Sequence, residues 1–131
     1  MNYLFDTDIV VDLLRGDLHT IENIKQRNIF IEDISVSVLS VFELMEGAYL
    51  SNRESELILT KELIDNFFIL DVTKKIASDA GKVSSFLKRK GKTIGIGDIL
   101  IGVTAVVGNK ILVTRNVKHF SVIPNLKIIT W

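Results

Sequence analysis

Short runs of strand-forming residues alternate with stretches of helical period along the whole chain, and this constrains the fold more than any other feature of the sequence. The runs are Tyr3-Leu4-Phe5 and residues 35–38, 68–72, 110–114 and 127–130, rich in β-branched and aromatic side chains. Between them, Ile9, Val10, Leu13 and Leu14 recur at helical spacing before Arg15-Gly16, and Ile21 and Ile24 mark a weaker helix over Leu18–Gln26. Ser40-Val41-Phe42-Glu43 matches a capping box and predicts a helix through Phe42, Met45 and Tyr49. Asn52 can cap a helix over 53–66 that turns Leu57, Leu63 and Ile64 inward, and Thr73 can cap one carrying Ile76, Ala80, Val83 and Leu87 that closes at Gly91. The stretch 99–107, introduced by Gly95-Ile96-Gly97-Asp98, is apolar on nearly every side and predicts a central buried helix. Such alternation calls for an α/β fold, a central and mostly parallel sheet with helices on both faces. At 131 residues the chain has the size of one domain, expected to span 1–131.

In an open parallel sheet, strand C-termini and the N-termini of the helices that follow share one edge, where ligands bind. The first strand ends abruptly in Asp6-Thr7-Asp8, and core packing gives no reason for carboxylates there. The run 110–114 leads into Arg115 and Asn116, while Glu43 and Asp98 fall in the first turns of two predicted helices. Asp6, Glu43, Asp98 and Asn116 can therefore converge. Two unit charges about 4 Å apart at an effective dielectric near 20 repel by roughly 4 kcal/mol, so a cation is expected among them. All-oxygen ligands select Mg²⁺ or Mn²⁺ ahead of zinc, and such an ion meets the needs of phosphodiester hydrolysis. Each acid also has a plainer reading: Glu43 as the capping-box residue, Asp98 as a first-turn carboxylate favoured by the helix dipole, Asp8 as the cap of the first helix. Asp12 and Glu46 read as solvated helix positions, and His19 and His119 as surface or loop histidines.

Lys plus Arg and Asp plus Glu are 16 each, so no global basic field holds nucleic acid and any such contact must come from local patches. The absence of cysteine excludes a thiolate metal site, a disulfide frame and a cysteine nucleophile, and the two histidines argue against a histidine-rich zinc centre. No stretch of about 18 residues is free of charge or turn signals, and the chain opens on a strand instead of a basic, then apolar, leader; the expectation is a soluble cytoplasmic protein with no membrane partner.

Four ordered blocks carry a family resemblance: Leu4-Phe5-Asp6-Thr7-Asp8-Ile9 with Leu13-Leu14-Arg15-Gly16; Ser37-Val38-Leu39-Ser40-Val41-Phe42-Glu43-Leu44 with Gly47-Ala48; Gly97-Asp98-Ile99-Leu100-Ile101; and Leu112-Val113-Thr114-Arg115-Asn116 with Phe120. Together they resemble the PIN-domain proteins, most closely the VapC-type toxins. The resemblance implies a three-layer PIN-like fold and a Mg²⁺- or Mn²⁺-dependent ribonuclease, the toxin of a type II toxin-antitoxin pair, often a homodimer, held inactive by a cognate antitoxin. It also implies that Asp6, Glu43 and Asp98 are the acidic metal ligands. Asn116 falls where the family often has a fourth acid or an asparagine, and Thr7 matches the small hydroxyl residue beside the first acid. Asp8 is more acidic, and Ile99 bulkier, than the usual residues. Arg15, Lys88, Arg89, Lys90 and Arg115 are the candidate contacts to RNA backbone.

Two other readings use the same residues. Phe5-Asp6-Thr7-Asp8-Ile9-Val10 also resembles the opening of a haloacid-dehalogenase-type phosphatase, with Asp6 as nucleophile. A non-catalytic PIN-like scaffold that only binds a partner is the other, and it leaves the mutual repulsion of the acids without a use.

Overall fold

The computed structural model describes residues 2–131; Met1, which precedes the first strand, lies outside them. Five strands form one parallel sheet: β1 (Tyr3–Phe5), β2 (Ile34–Ser37), β3 (Phe68–Leu70), β4 (Ile111–Val113) and β5 (Lys127–Ile129), in the order β3-β2-β1-β4-β5. Every pairing is parallel, so the sheet is wholly and not mostly parallel. The central strand β1 aligns Phe5 with Val36 on one side and with Val113 on the other. Successive side chains point to opposite faces, and the two apolar cores follow from that period. Phe5, Val36 and Val113 join Ile9, Val10, Leu44 and Phe67 on one face, while Leu4 and Leu112 join Ile101, Ala105 and Phe120 on the other.

The first face is covered by α1 (Thr7–Leu14), α2 (Leu18–Gln26), α3 (Val38–Leu50) and α4 (Glu54–Asp65), and the second by α5 (Lys74–Arg89), α6 (Ile96–Val107) and the short α7 (Val117–Phe120). Six of the twelve residues of α6 are buried, as its apolarity predicts. A methyl group added at Gly102 would run into Ile123, so the bare backbone there lets the chain after α7 close onto α6. No described helix is long and apolar enough to cross a membrane.

Several local expectations are corrected. The second strand ends at Ser37, and α3 starts at Val38, with the Ser37 side chain accepting from Leu39 N at 3.1 Å. Ser40 and Glu43 are therefore no capping box: Ser40 is buried within the helix and Glu43 lies in its second turn. The phase of α3 also differs, with Leu44 and Ala48 buried and Phe42 and Tyr49 turned outward. The third strand is shorter than 68–72, α6 starts at Ile96, and α7 has no counterpart among the expected elements. Asn52 adopts φ +53° and does not cap α4; Arg53 holds the cap position, with no side-chain hydrogen bond to the helix, and its N–H donates to the Ser51 hydroxyl. Gly91, at φ +72°, does close α5, a left-handed conformation that glycine adopts without a Cβ penalty.

Candidate active site

The connections leaving β1 and β4 depart on opposite sides of the sheet, and the crevice between such strands at their C-terminal edge is the expected ligand position. A cleft of about 400 Å³ lies there, lined by Asp6, Thr7, Asp8, Val11, Glu43, Asp98, Arg115 and Asn116. Asp6, Glu43, Asp98 and Asn116 are thus brought together from four separate blocks of sequence, with Thr7 and Asp8 beside them.

Asp6 is the most constrained. It is 6% exposed, and its backbone N–H donates to Val113 O at 3.0 Å, continuing the ladder between β1 and β4. Its side chain caps α1 by accepting from Thr7 N at 2.8 Å and takes a second hydrogen bond from Thr114 Oγ1 at 2.8 Å. Asp6, not Asp8, is therefore the cap of α1. Burial pushes its carboxyl up to about 6 from an ordinary 3.8; the Thr114 hydrogen bond opposes that, and Asp8 and Asp98 add to it as like charges.

Thr7 Oγ1 lies 2.9 Å from Ser40 Oγ and 3.1 Å from Glu43 Oε1. The hydroxyl ties the start of α1 to α3 and fixes one oxygen of Glu43 at the cleft wall. With the capping-box reading of Glu43 removed, this contact is what the glutamate makes. Asp98 sits in the first turn of α6, whose Gly95 cap position has no side-chain hydrogen bond. Its Oδ2 lies 3.3 Å from His119 Nδ1, which lies 2.9 Å from Asn116 Nδ2. Asn116 N donates to Thr114 Oγ1 at 3.0 Å, so one threonine hydroxyl orients both the asparagine turn and Asp6.

Asp8 accepts from Arg115 N at 3.0 Å, and burial raises its carboxyl above the ordinary range against the opposing pull of Arg115. Among the described residues its buried Oδ1 has no hydrogen-bond partner. Asp12, expected to be solvated, is 8% exposed and binds Arg115 Nη2 at 3.2 Å and Thr20 Oγ1 at 3.2 Å. Arg115 thus bridges two acids one turn apart on α1 while its side chain stays half exposed at the cleft. Of the other basic candidates, Arg15 lines an adjoining groove of about 450 Å³ that shares Val11 and Glu43 with the cleft, and Arg53 lines it too. Lys88, Arg89 and Lys90 are exposed at the end of α5 and do not line the cleft; Lys90 Nζ lies 4.5 Å from the centre of the Phe86 ring.

The residues that sequence reasoning missed are His119 and Asp12. Only spacing pointed to them: Asp12 stands four residues after Asp8, on the same helical face, and His119 three after Asn116.

The carboxylates, hydroxyl and carboxamide that line the cleft offer oxygen ligands, with the His119 ring behind Asp98. Among the described residues no three acidic or histidine groups close on one point as a preformed metal cage. The carboxylates nonetheless suit a hard cation: they face one cleft, Asp8 and Asp98 add as like charges to the proton affinity of Asp6, and among the described residues Asp8 Oδ1 is a buried oxygen without a hydrogen-bond partner.

The PIN domain family model matches residues 3–125. Among curated proteins, Ribonuclease VapC19 of Mycobacterium tuberculosis is 34% identical over 124 residues, covering 95% of this chain and 96% of that protein. Ribonuclease VapC1 of Haemophilus influenzae is 29% identical over 132 residues, covering 100% and 98%. Among solved structures, VapBC2 from Rickettsia felis bound to a DNA fragment from its promoter superposes with a TM-score of 0.88 at 28% identity, covering 100% of this chain and 99% of that one.

Proposed function

From the premise that the chain belongs to the PIN-domain family, in its VapC branch, we propose that the cleft hydrolyses RNA phosphodiester bonds with the help of Mg²⁺ or Mn²⁺. In this reading the protein is the endoribonuclease toxin of a toxin-antitoxin pair, working in the cytoplasm and silenced by a cognate antitoxin, with a homodimer as its working form. The observation that carries the reading is the convergence of Asp6, Glu43 and Asp98 on one cleft at the C-terminal edge of the sheet.

Asp6, Glu43 and Asp98 would hold the ion. The chemistry such an ion would supply there is a lowered pKa for water, polarisation of a phosphoryl oxygen and stabilisation of the leaving oxyanion. The protein's own part is placement. Thr114 and the Thr7 amide hold Asp6 at the cleft floor, and Thr7 Oγ1 holds Glu43 at its wall. Asn116 borders the cleft, where its carboxamide adds no charge to a site already crowded with carboxylates. Asp8 anchors Arg115, which fixes the turn after β4 against α1. Arg15 and Arg53, in the groove that opens from the cleft past Glu43, offer positive charge to an RNA backbone beyond the cleft.

The test is cleavage of purified RNA with Mg²⁺, with Mn²⁺ and with chelator. The proposal expects cleavage that needs the ion and is lost in Asp6→Asn. A phosphatase built on Asp6 would instead accumulate an acid-stable phospho-aspartate, and among the described residues no lysine lines the cleft to support that chemistry. RNA left intact under every ionic condition, with antitoxin absent, would contradict the proposal.

A further inference from the structure

We propose that His119 is a positioning residue for Asp98, donating Nδ1–H to one carboxylate oxygen so that the other is presented to the cation. The inference rests on the reading of Asp98 as a metal ligand and extends it to a residue outside the cleft's lining.

The contact with Asp98 favours one tautomer, and it requires the carboxamide of Asn116 to be reversed. A neutral imidazole carries one N–H and one bare nitrogen. A bare Nδ1 would face Asp98 Oδ2 lone pair to lone pair at 3.3 Å, an arrangement with no attractive term. With the proton on Nδ1, the same contact becomes a charge-assisted hydrogen bond. Asn116, whose amide nitrogen stands 2.9 Å from Nδ1, then turns its carbonyl oxygen toward the ring and shares the same proton. That half-turn costs nothing in shape, because the two ends of a carboxamide are nearly isosteric. With Oδ2 occupied, Oδ1 is the oxygen left to ligate.

The ring is well placed to act as a support. Phe120, the next residue, is fully buried against Ile101 and Ala105 of α6, and the bare backbone at Gly102 admits Ile123 just beyond it. The packing that seats Phe120 therefore fixes His119 relative to the first turn of α6, where Asp98 stands. Glu43 and Asp6 are held by Thr7 and Thr114, and Asp98 would otherwise be the one carboxylate of the three without an orienting donor among the described residues. Removal of such outer partners typically weakens metal affinity by about 10- to 100-fold.

The experiment is titration of purified, metal-stripped protein with Mn²⁺ alone, read calorimetrically, on wild type, His119→Ala, His119→Asn and Asp98→Asn, with the metal-free melting temperature of each. His119→Ala should weaken Mn²⁺ binding about 10- to 100-fold while melting near wild type without metal, because the ring is half exposed. His119→Asn, which can return an N–H close to the position of Nδ1, should recover most of the affinity. Wild-type affinity in His119→Ala, with binding lost in Asp98→Asn, would overturn the role of His119 alone. Wild-type affinity in both would overturn the reading of Asp98 as a ligand as well. An asparagine variant as weak as the alanine one would contradict a role through this hydrogen bond, and it decides the matter even if His119→Ala proves unstable.

Discussion

Asp6 carries two demands that conflict unless a cation is present. It must accept hydrogen bonds as a cap and from Thr114, yet burial favours its neutral form and lifts its carboxyl from 3.8 to about 6. The folded state therefore binds a proton more tightly than the unfolded chain. In metal-free protein the stability linked to that proton is fully present below about pH 4 and is lost as pH rises through 6, a change on the order of 2–3 kcal/mol. Asp6→Asn should abolish this part of the pH dependence and raise metal-free stability at pH 7, as denaturant melts in chelator at pH 4, 5, 6 and 7 would show. Parallel pH profiles for wild type and variant would mean that Asp6 ionises without strain. The position of Asp6 was legible in the sequence because charge directly after an apolar strand has few uses. Asp12 and His119 were not, since the partners that give them roles, Arg115 and Asp98, stand 103 and 21 residues away.

Helix α3 shows how far an element can be read without its neighbours. Ser37 and Ser40 both precede helical residues, and the sequence offers Ser40-Val41-Phe42-Glu43 as the better cap motif. Tertiary pairing chose Ser37, because the alignment of β2 with β3 runs through the pair Ser37 and Leu70 and the chain turns at once into α3. Loss of that cap, as Ser37→Ala, should cost about 1 kcal/mol in urea unfolding. Ser40→Ala should leave the helix terminus intact and act instead on the Thr7 hydroxyl it meets at 2.9 Å. Equal effects of the two on stability, with none on activity, would return Ser40 to a capping role. Phe42 and Tyr49 misled for a related reason: large aromatics suggest an inward face, but Leu44 and Ala48 occupy it. By contrast, the buried character of α6 was legible, because apolarity on nearly every side has one solution in a layered α/β fold.

The molecule as a whole is neutral, so its affinity for RNA must come from where its charges stand. Arg115 is shared with Asp8 and Asp12, and Arg53 with Glu56 at 3.3 Å, whereas Arg15 and the exposed run Lys88-Arg89-Lys90 form no ion pair among the described residues. Reversing Lys88, Arg89 and Lys90 to glutamate should weaken RNA binding and reduce the slope of log affinity against log salt by about 0.7 for each phosphate that the protein no longer neutralises. An unchanged slope would leave the Arg15 and Arg53 groove as the path of the strand. The layered architecture and the edge that carries the acids were legible from strand and helix alternation, whereas the assignment of basic residues to RNA depends on which carboxylates have already claimed them. The central claim, that Asp6, Glu43 and Asp98 form a metal-dependent nuclease site, is tested most directly on purified wild type and Asp98→Asn by melting with and without Mn²⁺ alongside cleavage of total RNA. The account predicts that Asp98→Asn melts at or above wild type without metal, gains less from Mn²⁺ and cleaves no RNA; a variant that cleaves like wild type but melts lower without metal would make Asp98 a helix-dipole residue and contradict the site.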